Sequence, residues 1–302
     1  MRPLRLFVMR RVPVWLVLCM LNTQVAASPA TPPSEGQPAG ASMPSMNGPV
    51  RIAYLHHSTG EGVWNGGVPA FIQDWNRTHG TDYRIEALTY PTTTRNMAIL
   101  GRLPDRMRNS LGITYPWANY PYDYWNLWVA HTGKDRARGE PNLDDLVKDY
   151  DVIVWKHCFP VSYVQPDKER PSVSSEAKTL ANYRLQYEAL KKRLHQFPSK
   201  RFIVWTGPAL TQASTTPEDA ERARQFSDWV KGSWDEKADN IFVWDFRTLE
   251  TEGGLFLKPE FASSVDDSHP NAAFSKNVAP SIGRRIVDVI EGRGDAASIA
   301  GR

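Results

Sequence analysis

Residues 51–60, with the sequence RIAYLHHSTG, decide how the folded part of this chain is interpreted. The apolar run from Arg51 to His56 is followed by polar residues and a glycine, a pattern typical of a buried strand that ends in a loop. Ser58 comes directly after this run. Open α/β sheets bind their ligands at the carboxyl ends of strands. The stretch therefore predicts a strand whose carboxyl end presents a serine.

Four later apolar runs have the same character and predict four more strands of a sheet that is covered on both faces. These runs are Tyr83 to Leu88, Asp151 to Trp155, Arg201 to Trp205 and Asn240 to Trp244. Helical patterns alternate with them at Val68 to Thr78, Leu143 to Tyr150, Ser174 to Gln196, Pro217 to Lys231 and Ala272 to Glu291. Pro280 is expected to kink the last helix or to split it. The alternation predicts an α/β fold, a three-layer α/β/α sandwich around a mainly parallel five-stranded sheet.

The ends of the chain predict an exported protein. Residues 1–27 begin with several arginines and continue with a short apolar stretch and small residues, which is typical of a signal peptide. Residues 28–48 are rich in Pro, Ala, Ser and Gly and are expected to form a disordered linker. One domain is expected at 49–292, followed by a flexible tail at 293–302. We expect a periplasmic or secreted protein without stable membrane insertion, since the apolar stretch is short.

Charge and cysteine content exclude other classes of protein. The net charge of +3 includes the arginines of the predicted signal peptide, and the remaining basic residues are interleaved with acidic ones. This distribution argues against a nucleic-acid partner. Once the signal peptide is removed only Cys158 remains, so no intrachain disulfide is expected.

A second motif, Asp266-Asp267-Ser268-His269-Pro270-Asn271, lies near the end of the predicted domain. A serine nucleophile needs a base to take its proton and a carboxylate to orient that base, and this motif supplies both groups. The carboxyl ends of parallel strands meet at one edge, so Ser58 and this motif are expected to converge there. Taken separately, Ser58 and Asp266 are equally well explained as helix caps.

Together, Ser58 after the first strand and Asp266-x-x-His269-Pro270 before the last helix resemble the SGNH or GDSL-type esterases and acetylhydrolases, over about residues 49–292. The resemblance implies a flavodoxin-like fold, with Ser58 as nucleophile, His269 as general base and Asp266 as the carboxylate that orients it. It implies ester hydrolysis through an acyl-enzyme, with no metal or organic cofactor. The alternatives are an O-acyltransferase with the same triad and a carbohydrate-binding domain of this fold without turnover.

The surroundings of the serine depart from that family's pattern. Gly-Asp-Ser is replaced by His56-His57-Ser58, and Lys156-His157-Cys158 stands where a Gly-x-Asn-Asp sequence would be expected. The oxyanion hole is therefore assigned to the backbone N–H groups of Ser58 and Gly60, with Lys156 or Asn96 as side-chain donors. His157 is expected at the same substrate-binding edge. Loss of one oxyanion donor typically costs about 10²–10³-fold in rate.

An insertion at about residues 90–140 is rich in aromatic residues, and insertions of this length are often lids or binding loops. Aromatic rings stack on sugar faces, so in an exported enzyme they favour an O-acylated polysaccharide or a small ester as substrate. Trp125 and Asp123 are the residues of the insertion expected to reach the cleft. Most of the other rings are expected to build a satellite core under the loop, and the alternative for Asp123 is that it anchors the loop.

Two other chemistries are less favoured. A metal site formed by His57, His157, His269 and Asp266 is conceivable, but the neighbouring His56 and His57 point to opposite faces of a strand and cannot easily bind one ion. Cys158 is a possible nucleophile with a histidine as base. No thiol-enzyme signature surrounds it, and a buried cysteine usually behaves as a small apolar residue.

Overall fold

The computed structural model describes residues 43–91 and 117–302, and these residues contain a five-stranded parallel sheet. Its strands are β1 (Val50–His56), β2 (Tyr83–Thr89), β3 (Val152–Trp155), β4 (Arg201–Trp205) and β5 (Ile241–Trp244). The spatial order is β2-β1-β3-β4-β5, and every neighbouring pair is parallel. This is the flavodoxin-like order, so the predicted fold class is confirmed.

Helices cover both faces of the sheet. In chain order they are α1 (Thr59–Asn65), α2 (Val68–His79), α3 (Pro121–Trp125), α4 (Leu143–Asp149), α5 (Leu180–Leu194), α6 (Pro217–Trp229), α7 (Phe246–Thr251) and α8 (Ala272–Ile290). Helices α3 to α6 pack on one face, and α1, α2, α7 and α8 pack on the other. Among residues 43–91 and 117–302, no helix has the length and apolarity that a membrane crossing requires.

The apolar strands explain why helices cover both faces of the sheet. In β3, Ile153 and Trp155 join the core under α3 to α6, whereas Val152 and Val154 join the core under α1, α2 and α8. All four residues are fully buried. Because side chains of a strand alternate between the faces, a continuous apolar run is what two-sided burial requires.

Most helix starts agree with the sequence, but α5 begins at Leu180, capped by Thr179, and not at Ser174 as predicted. The last helix also differs from the prediction. Thr216 accepts the backbone N–H of Asp219 and caps α6, with Pro217 at its first position, as expected. Pro280 lies inside α8, which runs from Ala272 to Ile290 without being split. The proline removes one hydrogen bond of the helix, but its neighbours Val278, Ala279 and Ile282 are buried against the sheet and keep the helix in place.

Both ends of the described domain pack more closely than the sequence predicts. Residues 293–302, expected as a flexible tail, lie against the domain, where the backbone N–H of Asp245 donates to the carbonyl of Ile299 at 2.9 Å. At the other end, the N–H of Met46 donates to the carbonyl of Ile290 at 2.8 Å. Because of these hydrogen bonds, residues on both sides of the predicted range 49–292 belong to the folded domain.

Candidate active site

Ser58 forms the turn between β1 and α1. Its backbone angles are φ 32° and ψ −99°, a conformation that non-glycine residues rarely adopt and that costs about 1–3 kcal/mol. Although Ser58 stands at the N-cap position of α1, its side chain makes no capping hydrogen bond. The residue is exposed. Capping therefore does not explain the serine, and its hydroxyl is presented to solvent at the carboxyl end of β1.

The first turn of α1 packs closely on the residues beneath it. A Cβ at Gly60 would lie 2.8 Å from Cβ of His56 and 3.1 Å from Cδ of Lys156, so only glycine fits at this position. The N–H of Gly60 already donates to the carbonyl of His57 at 2.8 Å. The expected role of Gly60 as an oxyanion donor is therefore wrong. The N–H of Ser58 remains the backbone candidate of this turn.

Lys156 follows β3 and is 2% exposed. Its ammonium donates to the carbonyl of His157 at 2.8 Å and to Sγ of Cys158 at 3.6 Å. Its charge also acts on Glu250, a fully buried carboxyl whose pKa is raised to about 8, mainly by burial. Lys156 thus lies beneath the serine turn, but its protons are directed to the loop after β3 and not to solvent.

His57 and His56 support the serine turn from below. Nε2 of His57 lies 2.8 Å from the carbonyl of Pro91, which can only accept, so Nε2 carries the proton. Burial lowers the pKa of His57 to about 4 and also lowers the pKa of His56, so both rings are neutral at pH 7. Among the described residues, no group of three or more His, Cys, Asp or Glu side chains is placed to hold a metal ion.

His269 lies in the loop before α8, with 43% of its side chain exposed. Its Nδ1 is 2.6 Å from Oδ1 of Asp267, and its backbone N–H donates to the same oxygen at 3.0 Å. These two hydrogen bonds lower the pKa of Asp267. When a carboxylate holds the proton of Nδ1, Nε2 is left as the basic nitrogen. This is the arrangement of a general base with its orienting carboxylate.

The carboxylate on His269 belongs to Asp267, so the expected pairing with Asp266 is wrong. Oδ1 of Asp266 instead accepts the hydroxyl of Ser264 at 2.8 Å. Oγ of Ser264 accepts in turn the backbone N–H of Asp267 at 3.1 Å. These two hydrogen bonds of Ser264 direct Asp266 back along the loop and leave Asp267 facing the imidazole. A pattern of residue types cannot distinguish two adjacent acids, because the turn decides which of them reaches the ring.

The helix-cap explanation of Asp266 is also wrong. Oδ1 of Asn271 accepts the N–H of Phe274 at 2.9 Å and caps α8. The side-chain amide of Asn271 donates to the carbonyl of Glu260 at 2.8 Å. Asn271 therefore fixes both the start of α8 and the end of the loop that carries His269.

His157 turns into the protein and is 1% exposed. Its Nε2 lies 2.7 Å from the hydroxyl of Tyr187, and its ring packs edge-on against Trp155 with centroids 5.4 Å apart. Burial lowers its pKa well below the ordinary value. The expectation that His157 binds substrate is wrong, because strand alternation continues past β3 and places His157 on the same core face as Trp155.

Asp123 anchors its loop and does not face a cleft. Its Oδ2 accepts the backbone N–H of Asn119 at 2.5 Å and that of Tyr120 at 3.4 Å, and it is 4% exposed. Burial raises its pKa to about 6. Asn119 has a φ of 59°, its carbonyl accepts the N–H of Cys158 at 2.8 Å, and its Oδ1 is buried without a partner among the described residues. Its Nδ2 donates to the carbonyl of Tyr90 at 3.4 Å, so the Asn119 amide holds this loop against the end of β2.

The described aromatic residues of the insertion mostly fill the core. Tyr124 and Trp128 are fully buried, and their rings pack edge-on with centroids 4.8 Å apart. Trp125 is half-buried and lies beside the half-buried Tyr122, with centroids 5.6 Å apart. Residues 92–116, which include Asn96, lie outside the described residues.

Two contacts bring the serine turn and the histidine loop to the same edge of the sheet. The ring of Phe159, which follows the loop of Lys156, packs edge-on against His269 with centroids 4.7 Å apart. A Cβ at Gly66, the C-cap of α1, would overlap the backbone of Ser275 in the first turn of α8. Within the described part of the chain, no hydrogen bond joins Ser58 to His269. The two loops therefore lie at the same edge of the sheet, and Ser58 and His269 are not hydrogen-bonded there.

No protein-family model and no curated protein matches this chain. Among solved structures, an acetyl xylan esterase is similar over 76% of this chain and 95% of its own, with 16% identity and a TM-score of 0.42. A gut microbial diltiazem-metabolizing enzyme is similar over 83% of this chain, with 11% identity and a TM-score of 0.45. This chain spans 48% of that enzyme's length. The chemistry of the site rests on its own residues.

Proposed function

We propose that this protein is a serine-dependent ester hydrolase in which Ser58 is the nucleophile and His269, oriented by Asp267, is the base. One observation carries the proposal. An exposed serine hydroxyl that caps no helix stands in a positive-φ turn, at the sheet edge that also holds an imidazole with its Nδ1 2.6 Å from a carboxylate. Strained backbone of this kind concentrates at functional sites.

The first half of the reaction forms an acyl-enzyme. Oγ of Ser58 attacks the ester carbonyl carbon while Nε2 of His269 takes the hydroxyl proton. The bond between the acyl carbon and the alcohol oxygen then breaks, and His269 returns the proton to that oxygen. Asp267 keeps the proton of Nδ1 in place and stabilises the charged imidazolium. The step requires Ser58 and His269 to approach to hydrogen-bond distance, a contact that often forms only when substrate is bound.

The second half releases the acyl group to water. His269 takes a proton from the water that attacks the acyl carbon, and returns it to Oγ of Ser58 as the acid leaves. The N–H of Ser58 is the group we assign to the negatively charged oxygen of both intermediates. Release to another hydroxyl in place of water would make the protein an O-acyltransferase with the same triad.

The sequence predicts an O-acylated glycan or a small ester as the natural substrate, for an exported protein with an aromatic insertion. The half-buried Tyr122 and Trp125 are the described rings that would suit a glycan, and an apolar cavity beside the loop of His269 favours a small ester. A carbohydrate-binding domain without turnover is the second candidate function. It is favoured by Gly60, since its N–H is already bonded and one expected oxyanion donor is lost.

Hydrolysis of p-nitrophenyl acetate separates the two candidates. Ser58→Ala is expected to lower kcat/KM by at least about 10³-fold, because the nucleophile is removed. Ser58→Gly is expected to lose the activity equally while unfolding at no lower urea concentration, because glycine suits the positive φ. Ser174→Ala, at an exposed serine in another loop, is the matched control and should keep the activity. Equal turnover by wild type and Ser58→Ala would contradict the proposal.

A further inference from the structure

An open cavity of about 390 Å³ lies beside the loop that carries His269. Its lining comes from residues 211–213, from Thr251, from residues 254–259 and from Val265. Beneath it, Leu257 packs against Ala209 and Ala262 in a small apolar cluster of buried residues. The volume falls in the range of pockets that bind small molecules, about 300–1,000 Å³.

Hydrogen bonds join the wall of this cavity to the histidine loop. The N–H of Thr211 donates to Oγ of Ser268, the residue before His269, at 3.0 Å. The hydroxyl of Thr211 donates to Oγ of Ser214 at 2.9 Å, and that of Ser214 donates to the carbonyl of Asp266 at 3.1 Å. The cavity and the proposed base are therefore held by one hydrogen-bonded unit.

The lining favours a neutral, apolar ligand. Val265 is 76% exposed, the most exposed of the large apolar side chains in the described part of the chain. Leu255 and Phe256 are half-buried and extend the same apolar wall. Lys258 is the one charged residue among the described lining residues, and its ammonium is 3.2 Å from a carboxylate oxygen of Glu252. Sugar hydroxyls placed against this wall would lose water without gaining enough partners.

We propose that this cavity binds the alcohol half of the ester, and that the alcohol is a small aliphatic or aromatic one. The inference rests on the proposed function, in which His269 returns its proton to the oxygen of the leaving alcohol. The alcohol therefore lies against the histidine loop, and the cavity adjoins that loop at Val265 and through the hydrogen bond of Thr211 to Ser268. Burial of an apolar alcohol there removes its surface from water and so stabilises the bound ester.

The test compares benzyl acetate with ethyl acetate, whose leaving alkoxides are similar in basicity. Wild type is expected to hydrolyse benzyl acetate with a kcat/KM at least about 10-fold higher. Ala213→Trp, at an exposed lining position, is expected to abolish this preference and to leave ethyl acetate within about 2-fold, because it fills the cavity and spares the triad. Leu185→Trp, at an exposed apolar residue of α5, is the matched control and should keep the preference.

A direct binding measurement accompanies the kinetics. Saturation-transfer NMR with benzyl alcohol is expected to show binding to wild type and to Leu185→Trp, and none to Ala213→Trp. Ser58-dependent hydrolysis without a benzyl preference would overturn the assignment of the cavity and leave the proposed function standing. A higher kcat/KM for an acetylated methyl xyloside than for benzyl acetate would have the same consequence. So would a higher kcat/KM for ethyl esters of long acyl chains than for benzyl acetate. If no acetate is hydrolysed in a Ser58-dependent way, the proposed function fails, and the cavity assignment fails with it.

Discussion

The loop after β3 and the loop before α8 each bring a histidine to the same edge of the sheet, and they bury it to very different extents. His157 is 1% exposed and lies 2.7 Å from the hydroxyl of Tyr187. His269 is 43% exposed and lies 2.6 Å from a carboxylate oxygen of Asp267. One ring is neutral and enclosed by aromatic side chains, and the other is open to solvent with its tautomer fixed by an acid.

The difference shows that position at the edge of the sheet does not by itself make a catalytic histidine. A general base needs a free nitrogen that substrate can reach and a partner that stabilises the charged ring. His157 lacks both, because burial lowers its pKa and its Nε2 already faces Tyr187. His269 has a carboxylate partner, and its Nε2 makes no hydrogen bond to residues 43–91 or 117–302. Of the two loops, the loop before α8 is therefore the one that can supply the general base.

The largest expected effect is that of His269→Ala. Loss of the base is expected to lower kcat/KM for p-nitrophenyl acetate by about 10⁴-fold or more, because the proton of Ser58 then has no acceptor. Steady-state hydrolysis measures the effect, and urea unfolding checks that the fold is retained. A loss of less than about 10-fold would place the base elsewhere, since general base catalysis contributes about 10²–10⁴-fold.

The adjacent acids give the next largest effect. Asp267→Asn is expected to lower kcat/KM by about 10²–10⁴-fold, because the amide neither stabilises the imidazolium nor holds the required tautomer. Asp266→Asn is the matched control and should stay within about 3-fold, because its carboxylate bonds to Ser264 and not to the ring. The reverse ranking in the same assay would restore the pairing that the sequence predicts.

Glu250 of α7 represents the buried side of the comparison, and its side chain accepts the backbone N–H of Ala209 after β4. Its pKa is about 8 in the folded protein and 4.5 in a model peptide, so folding takes up a proton between these pH values. The free energy of unfolding should therefore fall as the pH rises from 5 to 8, by at most about 1.4 kcal/mol per pH unit. Glu250→Gln should remove this dependence in urea unfolding. A slope that is the same in both proteins would mean that Glu250 is ionised throughout.

His157 should affect stability and not catalysis. His157→Phe is expected to lower the free energy of unfolding by about 1–3 kcal/mol, because the buried hydroxyl of Tyr187 loses its partner. Tyr187→Phe leaves the imidazole unpaired in the same way, so the double variant should lose less than the sum of the two. Hydrolysis of p-nitrophenyl acetate by His157→Phe should stay within about 2-fold of wild type. A large loss of activity in a folded His157→Phe protein would contradict the comparison.

The fold was accessible from the sequence because its signals are repeated. Five apolar runs separated by helical patterns predict the parallel sheet, and the observed strands begin and end within one residue of those runs. Continuous apolar runs of this length are typical of parallel strands that are buried on both faces. Pro280 was misjudged because the burial of α8 against the sheet outweighs one lost hydrogen bond.

The site was less accessible, because it depends on single side-chain directions. Ser58 and His269 were identified by residue type and position. Which acid faces the ring is determined by the hydrogen bonds of Ser264, and that acid is Asp267. Alternation past β3 turns His157 inward, a signal that was present in the sequence next to Trp155. Asn119 lies at the edge of the sheet through contacts with residues distant in sequence, which no local pattern reveals.

Mass spectrometry of the acyl-enzyme tests the central claim most directly. Wild type and Asp267→Asn are mixed briefly with p-nitrophenyl acetate, quenched with acid and digested. The account predicts one acetyl group on the peptide that contains Ser58, with more of it retained in Asp267→Asn because the weakened base releases the acyl group slowly, and none in Ser58→Ala. An acetyl group on Cys158 or Lys156, with Ser58 unmodified during turnover, would contradict the account.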